Sequence, residues 1–254
     1  MIDTRALVHR LKKLESVAII PRVTSTNLIA RRILDECLGN ELSLPQAIII
    51  AGEQFAGRGR NERTWSSPPG KGIYATTLLT RPASELPLFP LEMANVVATY
   101  LRETFGIDAQ IKWPNDVLAG GRKIAGILIE ARVHEGHVHM LIGTGINLEP
   151  VESDSRPNAT SVSEAASHGY EGIDAATTAF IEHLDRRFAT ATNRKTVLDE
   201  WRRMTVHKNG DRISSVIGTR TVSGTWEGID EHGRALIRTD AETLAISAGD
   251  VVVQ

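Results

Sequence analysis

QIKWPNDVLAGGRKIAGILIEARVHEGHVHMLIGTGINL, Gln110 to Leu148, is the most regular stretch of the chain and the one that decides its fold class. Three runs rich in aliphatic and β-branched residues are joined at Gly120-Gly121 and at Glu135-Gly136. Glycine at such junctions supplies the positive φ of tight hairpin turns, so the expected unit is an antiparallel meander. Helical periodicity flanks it, from about Leu91 to Phe105 before it and near 174–189 and 194–204 after it. The expected class is therefore α+β, a mixed or antiparallel sheet with flanking helices rather than a doubly wound sheet.

Working outward, residues 3–15 read as a short amphipathic helix with Asp3 or Thr4 as cap and Leu7, Val8, Leu11 and Leu14 on one face. A strand ending at Pro21 follows, then VTSTN and a helix whose stripe is Leu28, Ile29, Ile33, Leu34 and Cys37. Ser25 or Thr26 would cap that helix, and its free N–H donors can also bind a ligand, so the two roles can coexist. Ala47 to Ala51 form a continuous apolar strand that delivers Glu53 and Gln54, and Ile73 to Leu79 form another. Beyond Pro150 the composition is polar and loop-like to about Thr160. After His207, short alternating runs are broken by Asn209-Gly210, Gly224, Gly228 and His232-Gly233, the texture of a small β-barrel. The expected division is a domain at 1–205 and a smaller one at 206–254.

Of the 254 residues, 41% are apolar and 24% charged, enough for one sizeable core plus an appendage. The net charge of −2 gives no global basic field of the kind that recruits nucleic acid, so any anion site must be local. The single cysteine, Cys37, falls on an apolar helical face and reads as a core thiol. No apolar run approaches the ~20 residues that span a bilayer, and no signal peptide is recognisable. The expectation is a cytoplasmic protein with no membrane or nucleic-acid partner.

The chemistry concentrates in GRGRNERTW, Gly57 to Trp65, where Arg58, Arg60 and Arg63 stand among glycines and before one large aromatic. Glycine permits close backbone approach and arginine offers planar charged forks to phosphate or carboxylate. An indole suits a loop that orders over a partly apolar ligand. Lys112-Trp113-Pro114-Asn115-Asp116 packs a cation, an amide and a carboxylate at a strand junction. Lys123 leads into an otherwise apolar strand, where its ammonium needs an anion to meet it. Gly126, Gly143 and Gly145 remove side chains and suggest a slot floored by backbone. His134, His137 and His139 bracket a hairpin without metal-ligand spacing. Five cations, a glycine loop, an aromatic lid and a slot suit bringing two anions together, as ATP-driven activation of a carboxylic acid requires. The mutually repelling arginines predict a loop that is not ordered without ligand.

These motifs resemble those of the biotin–protein ligase family. The likeness rests on STN at 25–27, EQ at 53–54, GRGR with a following Arg and Trp up to 65, SPxG at 67–70, and KWPND at 112–116. It continues through KIAGILIE at 123–130, GxGIN at 143–147, ATS at 159–161 and the tail SGTWEGIDEHGRAL. The resemblance implies a biotin/lipoate ligase-like catalytic domain followed by an SH3-like β-barrel. It implies that biotin and MgATP give biotinyl-5′-AMP, and that biotin passes to a lysine of the biotin carboxyl carrier domain of a carboxylase. It places Ser25, Thr26, Asn27, Gln54, Arg58 and Gly143 at biotin, with Gly57, Gly59 and Gly126 allowing close approach. Arg60 and Lys123 would neutralise the carboxylate and α-phosphate. Arg63, Lys112, Asp116 and Asn147 would serve the nucleotide and its magnesium, whose ligands are left unassigned, and Trp65 would close the loop. Lys123, Arg60, Lys112 and Asp116 are thus the expected catalytic group.

In two respects the sequence departs from the family. Glu62 stands where members often carry a glycine before the third arginine, which bears on how the loop orders. About twenty residues precede the first shared motif, which resembles the monofunctional type without an N-terminal DNA-binding domain. A lipoate or octanoate ligase and a biotin-responsive regulator are the alternative readings.

Overall fold

The computed structural model describes residues 2–61, 63–150, 158–167, 169–190, 192–217, 220–247 and 249–253. In chain order the elements are α1 (Thr4–Val8), β1 (Ser16–Val23), α2 (Thr26–Gly39), β2 (Ala47–Gln54), β3 (Gly72–Pro82), a 3-10 segment (Ala83–Leu88), α3 (Phe89–Phe105), β4 (Ala109–Lys112), β5 (Asp116–Ala119), β6 (Arg122–His134) and β7 (His137–Asn147). There follow α4 (Val162–Ala165), α5 (Ile173–Ala189), α6 (Arg194–Met204) and the strands β8 (Arg212–Ile217), β9 (Arg220–Ile229), β10 (Ala235–Arg238), β11 (Thr243–Ile246) and β12 (Asp250–Val253). Most of the polar stretch expected as a loop after Pro150 lies outside the described residues.

The meander forms as its glycines predict. The turns have positive φ at Gly120 (57°) and Gly121 (76°), and at Glu135 (47°) and Gly136 (75°). The first sheet runs β1-β2-β3-β7-β6-β5-β4, parallel between β1 and β2 and antiparallel elsewhere. This is the expected α+β arrangement. Pro21 lies within β1 rather than at its end, which its missing N–H allows because β1 is an edge strand.

Both faces of the sheet are covered, and β2 shows why it is apolar at consecutive positions. Ile48 and Ile50 enter the large core with α3, α5 and α6, whereas Ala47 and Ile49 pack with Ala30, Leu34 and Cys37 of α2. Side chains alternate between faces, so a strand covered twice has no polar phase. On the α2 side, Leu78 and Leu141 are buried beneath the helix. Two and four residues along β7 on that same face stand Gly143 and Gly145, and Gly145 pairs with Gly126 on β6. The sheet is therefore left bare just past the N-terminus of α2.

The leader departs from the expected helix at 3–15: only Thr4–Val8 is helical, capped by the Asp3 carboxylate. Leu7 and Leu14 are buried as their spacing suggested. The backbone N–H groups of Lys12, Lys13 and Leu14 donate to the Asp185 carboxylate of α5 at 2.8, 2.7 and 2.8 Å, so a tertiary acceptor replaces the helical one.

The C-terminal strands form an antiparallel sheet in the order β11-β10-β9-β8-β12. Its buried residues, among them Ile213, Trp226, Ile237 and Val251, belong to the same apolar cluster as α3 and α5. Trp113 joins the two sheets: its indole N–H donates to the Gly233 carbonyl and its backbone N–H to His207 Nε2, each at 3.1 Å. The WPND turn is thereby held against the C-terminal module.

Two buried histidines make stability depend on pH. Burial, helped by Arg186 and Arg187, lowers His183 to about 4, and burial with Lys112 nearby lowers His207 to about 4. Their folded pKa values lie below the ordinary value near 6.5, so the unfolded chain takes up protons first as pH falls. Each stabilising contribution is complete above about pH 6.5 and is lost toward pH 4, at up to ~1.4 kcal/mol per pH unit. Urea midpoints should fall steadily between pH 7 and pH 5, and a constant midpoint over that interval would refute this.

Candidate active site

A cavity of about 470 Å³ opens over the bare part of the sheet, a volume suited to a small organic ligand. Fourteen of the sixteen expected site residues line it: Ser25, Thr26, Asn27, Gln54, Arg58, Gly59, Arg60, Arg63, Trp65, Asp116, Lys123, Gly126, Gly143 and Asn147. Lys112 and Gly57 do not. Lys112 ends β4, the outermost strand, and only its register partner Asp116 on β5 reaches the wall. At Gly57 a Cβ would strike the Trp65 carbonyl and approach Ser67 Oγ to 2.9 Å, so the close approach there is of the loop to itself.

One end of the cavity is neutral and polar. Ser25 holds the N-cap position of α2 but makes no side-chain cap bond. The helix is capped instead from β2, where Gln54 Oε1 accepts from Thr26 N at 2.8 Å and from Thr26 Oγ1 at 3.1 Å. Gln54 Nε2 in turn donates to Ser67 Oγ at 2.9 Å. Ser25 is thus not used up in capping, and Thr26, Asn27 and the adjoining Thr76 are all buried.

The other end is cationic. Lys123 Nζ lies 2.5 Å from Asp116 Oδ1 and 5.4 Å from the Trp65 ring centroid, and Arg60 Nη1 donates to Asn115 Oδ1 at 2.7 Å. The anion that Lys123 required is supplied by the protein itself. Its backbone is pinned as well: Lys123 N donates to the Asn158 carbonyl and its own carbonyl accepts from Thr160 N, at 2.8 and 2.9 Å. Asn147 reaches the same segment, donating from Nδ2 to the Thr160 carbonyl at 3.0 Å.

The arginine loop is closed on itself by hydrogen bonds of its own main chain. Trp65 N donates to Gly57 O at 2.9 Å, Gly59 N to Arg63 O at 2.7 Å and Arg63 N to Arg60 O at 3.1 Å, with Asn61 at a φ of 52°. These main-chain bonds and the seated indole oppose the repulsion among the guanidiniums. The expectation concerning Glu62 lies outside the described residues. Trp65 rests on the glycine floor: a Cβ at Gly126 would meet its Cζ3 at 3.0 Å, and one at Gly145 would overlap its Cε2 and Nε1. Gly145→Ala should therefore drive the indole off the floor, at a cost of about 1–3 kcal/mol. Trp113, Trp201 and Trp226 are buried, so a red shift in tryptophan emission would report the movement and an unshifted spectrum would contradict it.

Sequence reasoning did not assign Asn115, Thr76, Thr144 or Ala159. Asn115 lay inside the quoted KWPND, and its place beside two charged neighbours was the available signal. The threonines carried none, because a threonine on a strand reads as ordinary β composition.

The profile of the biotin/lipoate A/B protein ligase family matches residues 19–147, and that of the biotin protein ligase C terminal domain matches residues 212–253. The chain belongs to the biotin/lipoate A/B protein ligase family. Within that family it is 33% identical over 250 residues to the biotin--[acetyl-CoA-carboxylase] ligase of Paracoccus denitrificans, covering 91% of this chain and 98% of that protein. It is 31% identical to the bifunctional ligase/repressor BirA of Bacillus subtilis, covering 84% and 68%. Among solved structures, the biotin protein ligase of Aquifex aeolicus in complex with biotin and ATP shares the fold at a TM-score of 0.71 and 23% identity, over 94% of this chain and 98% of that one. No described helix is long and apolar enough to cross a membrane.

Proposed function

We propose that the chain activates biotin with ATP to biotinyl-5′-AMP and then transfers biotin to a specific lysine on the carrier domain of a biotin-dependent carboxylase. The observation that carries this reading is a single slot with a neutral hydrogen-bonding end at Thr26, Asn27 and Gln54, a glycine floor under an indole, and a cationic end at Arg60 and Lys123. Biotin has the matching order of parts: a polar ureido ring, an apolar tail and a carboxylate.

In the first step a carboxylate oxygen attacks the α-phosphorus, the bond to pyrophosphate breaks, and a mixed anhydride forms. Arg60 and Lys123 hold the two anions near contact and neutralise charge that grows on the phosphoryl oxygens. In the second step the lysine amine attacks the acyl carbon, AMP leaves, and the amine proton passes to solvent. Trp65 and the closed loop keep water from the anhydride between the steps. Arg58 and Arg63, both exposed at the mouth, suit the nucleotide phosphates. Asp116 is the one carboxylate among the described lining residues and would be the side chain available to a magnesium ion, which would offset phosphate charge. The relative from Paracoccus denitrificans is named for acetyl-CoA carboxylase, which makes that enzyme's carrier the acceptor to test first. The match of residues 212–253 supports a C-terminal domain beginning near residue 206.

A dithiolane ring offers no N–H or C=O to the neutral end, so lipoate would leave Thr26 and Gln54 without ligand partners, and biotin is favoured. Incubation with biotin, MgATP and a carrier domain should add one biotinyl group to the carrier by mass. An unmodified carrier, or preferential transfer of lipoate, would overturn the reading.

A further inference from the structure

From the neutral end of the cavity a hydrogen-bonded chain runs inward from Thr26 and Asn27 to Thr76, Glu130 and Arg31, three residues that the proposed chemistry does not use. Glu130 on β6 has one oxygen, Oε1, accepting from Asn27 Nδ2 at 3.0 Å, while Oε2 is paired with Arg31 on α2. Asn27 Oδ1 faces Thr76 Oγ1 at 2.6 Å, and Thr76 Oγ1 faces Thr26 Oγ1 at 2.7 Å. Gly143 makes room for this amide, since a Cβ there would come within 2.5 Å of Asn27 Oδ1. Asn27, Thr76 and Thr26 are all buried, so each must be satisfied within the chain or by a ligand.

The carboxylate at the far end dictates the direction of every bond. A carboxylate only accepts, so the amide of Asn27 must turn its NH₂ toward Glu130 and its carbonyl toward Thr76. That carbonyl also only accepts, so the Thr76 proton is committed to it. Thr76 then offers Thr26 lone pairs alone, and the Thr26 proton goes to Thr76 Oγ1 or to Gln54 Oε1, both acceptors of the protein itself. What Thr26 presents to the cavity is an acceptor. Without Glu130 the Asn27 amide is free to flip, and the sense of the chain can reverse.

We propose that Glu130, held by Arg31, is a positioning residue that sets the hydrogen-bond sense of the Asn27–Thr76–Thr26 chain, so that this end of the cavity accepts from a ring N–H of its ligand. The inference rests on the proposed function, with the ureido N–H of biotin as the donor.

The test is calorimetric titration of wild type, Glu130→Ala, Glu130→Gln and Arg31→Ala with biotin and, separately, with biotin methylated at each ureido nitrogen. Pyrophosphate-release kinetics supply KM for ATP. Glu130→Ala should weaken biotin about tenfold, consistent with one mis-set hydrogen bond. For one of the two methylated analogues, which has already lost the donor, the same substitution should change affinity less than twofold. Glu130→Gln retains an acceptor for Asn27 Nδ2 and should recover part of the loss, and KM for ATP should not move. Arg31→Ala, at a half-exposed helix position, should show a smaller loss in the same direction even if Glu130→Ala does not fold. The inference is overturned if biotin affinity stays within twofold of wild type in the Glu130 series, if both analogues lose as much as biotin, or if KM for ATP rises by the same factor. Failure of the wild type to bind biotin would remove the proposed function and this inference with it, whereas wild-type binding with a flat Glu130 series removes the inference alone.

Discussion

Lys123→Ala should slow pyrophosphate release from biotin and ATP by about 10²–10³-fold, the usual loss when one preorganised charge or donor is withdrawn from a developing anion. Folding should change little. The ion pair with Asp116 is about one-third exposed on the lysine side, and exposed pairs contribute about 0–1 kcal/mol. The backbone bonds of residue 123 to Asn158 and Thr160 survive in alanine, so the strand keeps its place. Lys123→Arg keeps the charge but replaces a compact ammonium with a broader planar group, and should restore only part of the rate. Single-turnover measurement of adenylate formation beside a thermal melt separates the two effects. A Lys123→Ala protein with a wild-type rate would remove this lysine from the chemistry, and one that melts far lower would make its role structural.

Asp185→Ala should produce the largest loss of stability expected away from the cavity. The carboxylate is buried at 3% exposure and accepts three backbone N–H bonds from Lys12, Lys13 and Leu14. Removing it strands those donors beside the apolar seat of Leu7 and Leu14. A loss of about 3 kcal/mol follows, or about 6–12 °C in Tm for a chain of this size. Asp185→Asn should recover part of the loss, because the amide oxygen can still accept from Lys13 and Leu14 while its NH₂ faces the Lys12 N–H. Early proteolytic cleavage before residue 16 would locate the effect at the leader. Unchanged melting would show that water replaces the carboxylate at no cost.

Both residues were open to inspection in the sequence, yet only one was recognised. Lys123 stood out because a cation entering an apolar strand conflicts with its neighbours. Asp185, in FIEHLDRRF, reads as one more polar position on an amphipathic helix, since its partners lie more than 170 residues away in the chain. Lys112 is placed differently: it ends the last strand of the sheet and stays off the cavity wall, which its register partner Asp116 reaches. Glu130 closed the quoted KIAGILIE without a role, because an acid at the end of a strand meets Asn27 and Arg31 only after α2 packs across the sheet.

What the sequence determined by itself is whatever depends on near neighbours. The glycine turns required a meander, the apolar run of β2 required cover on both faces, and GRGR with Trp65, KWPND and the interrupted glycines named the parts of a slot. Tertiary structure alone decided which cations share the cavity, that the acid facing Lys123 is Asp116, that the indole lies on Gly126 and Gly145, and that the leader is clamped by Asp185. These contacts are set by strand order and helix docking, and residues far apart in sequence acquire a distance only when the sheet is assembled.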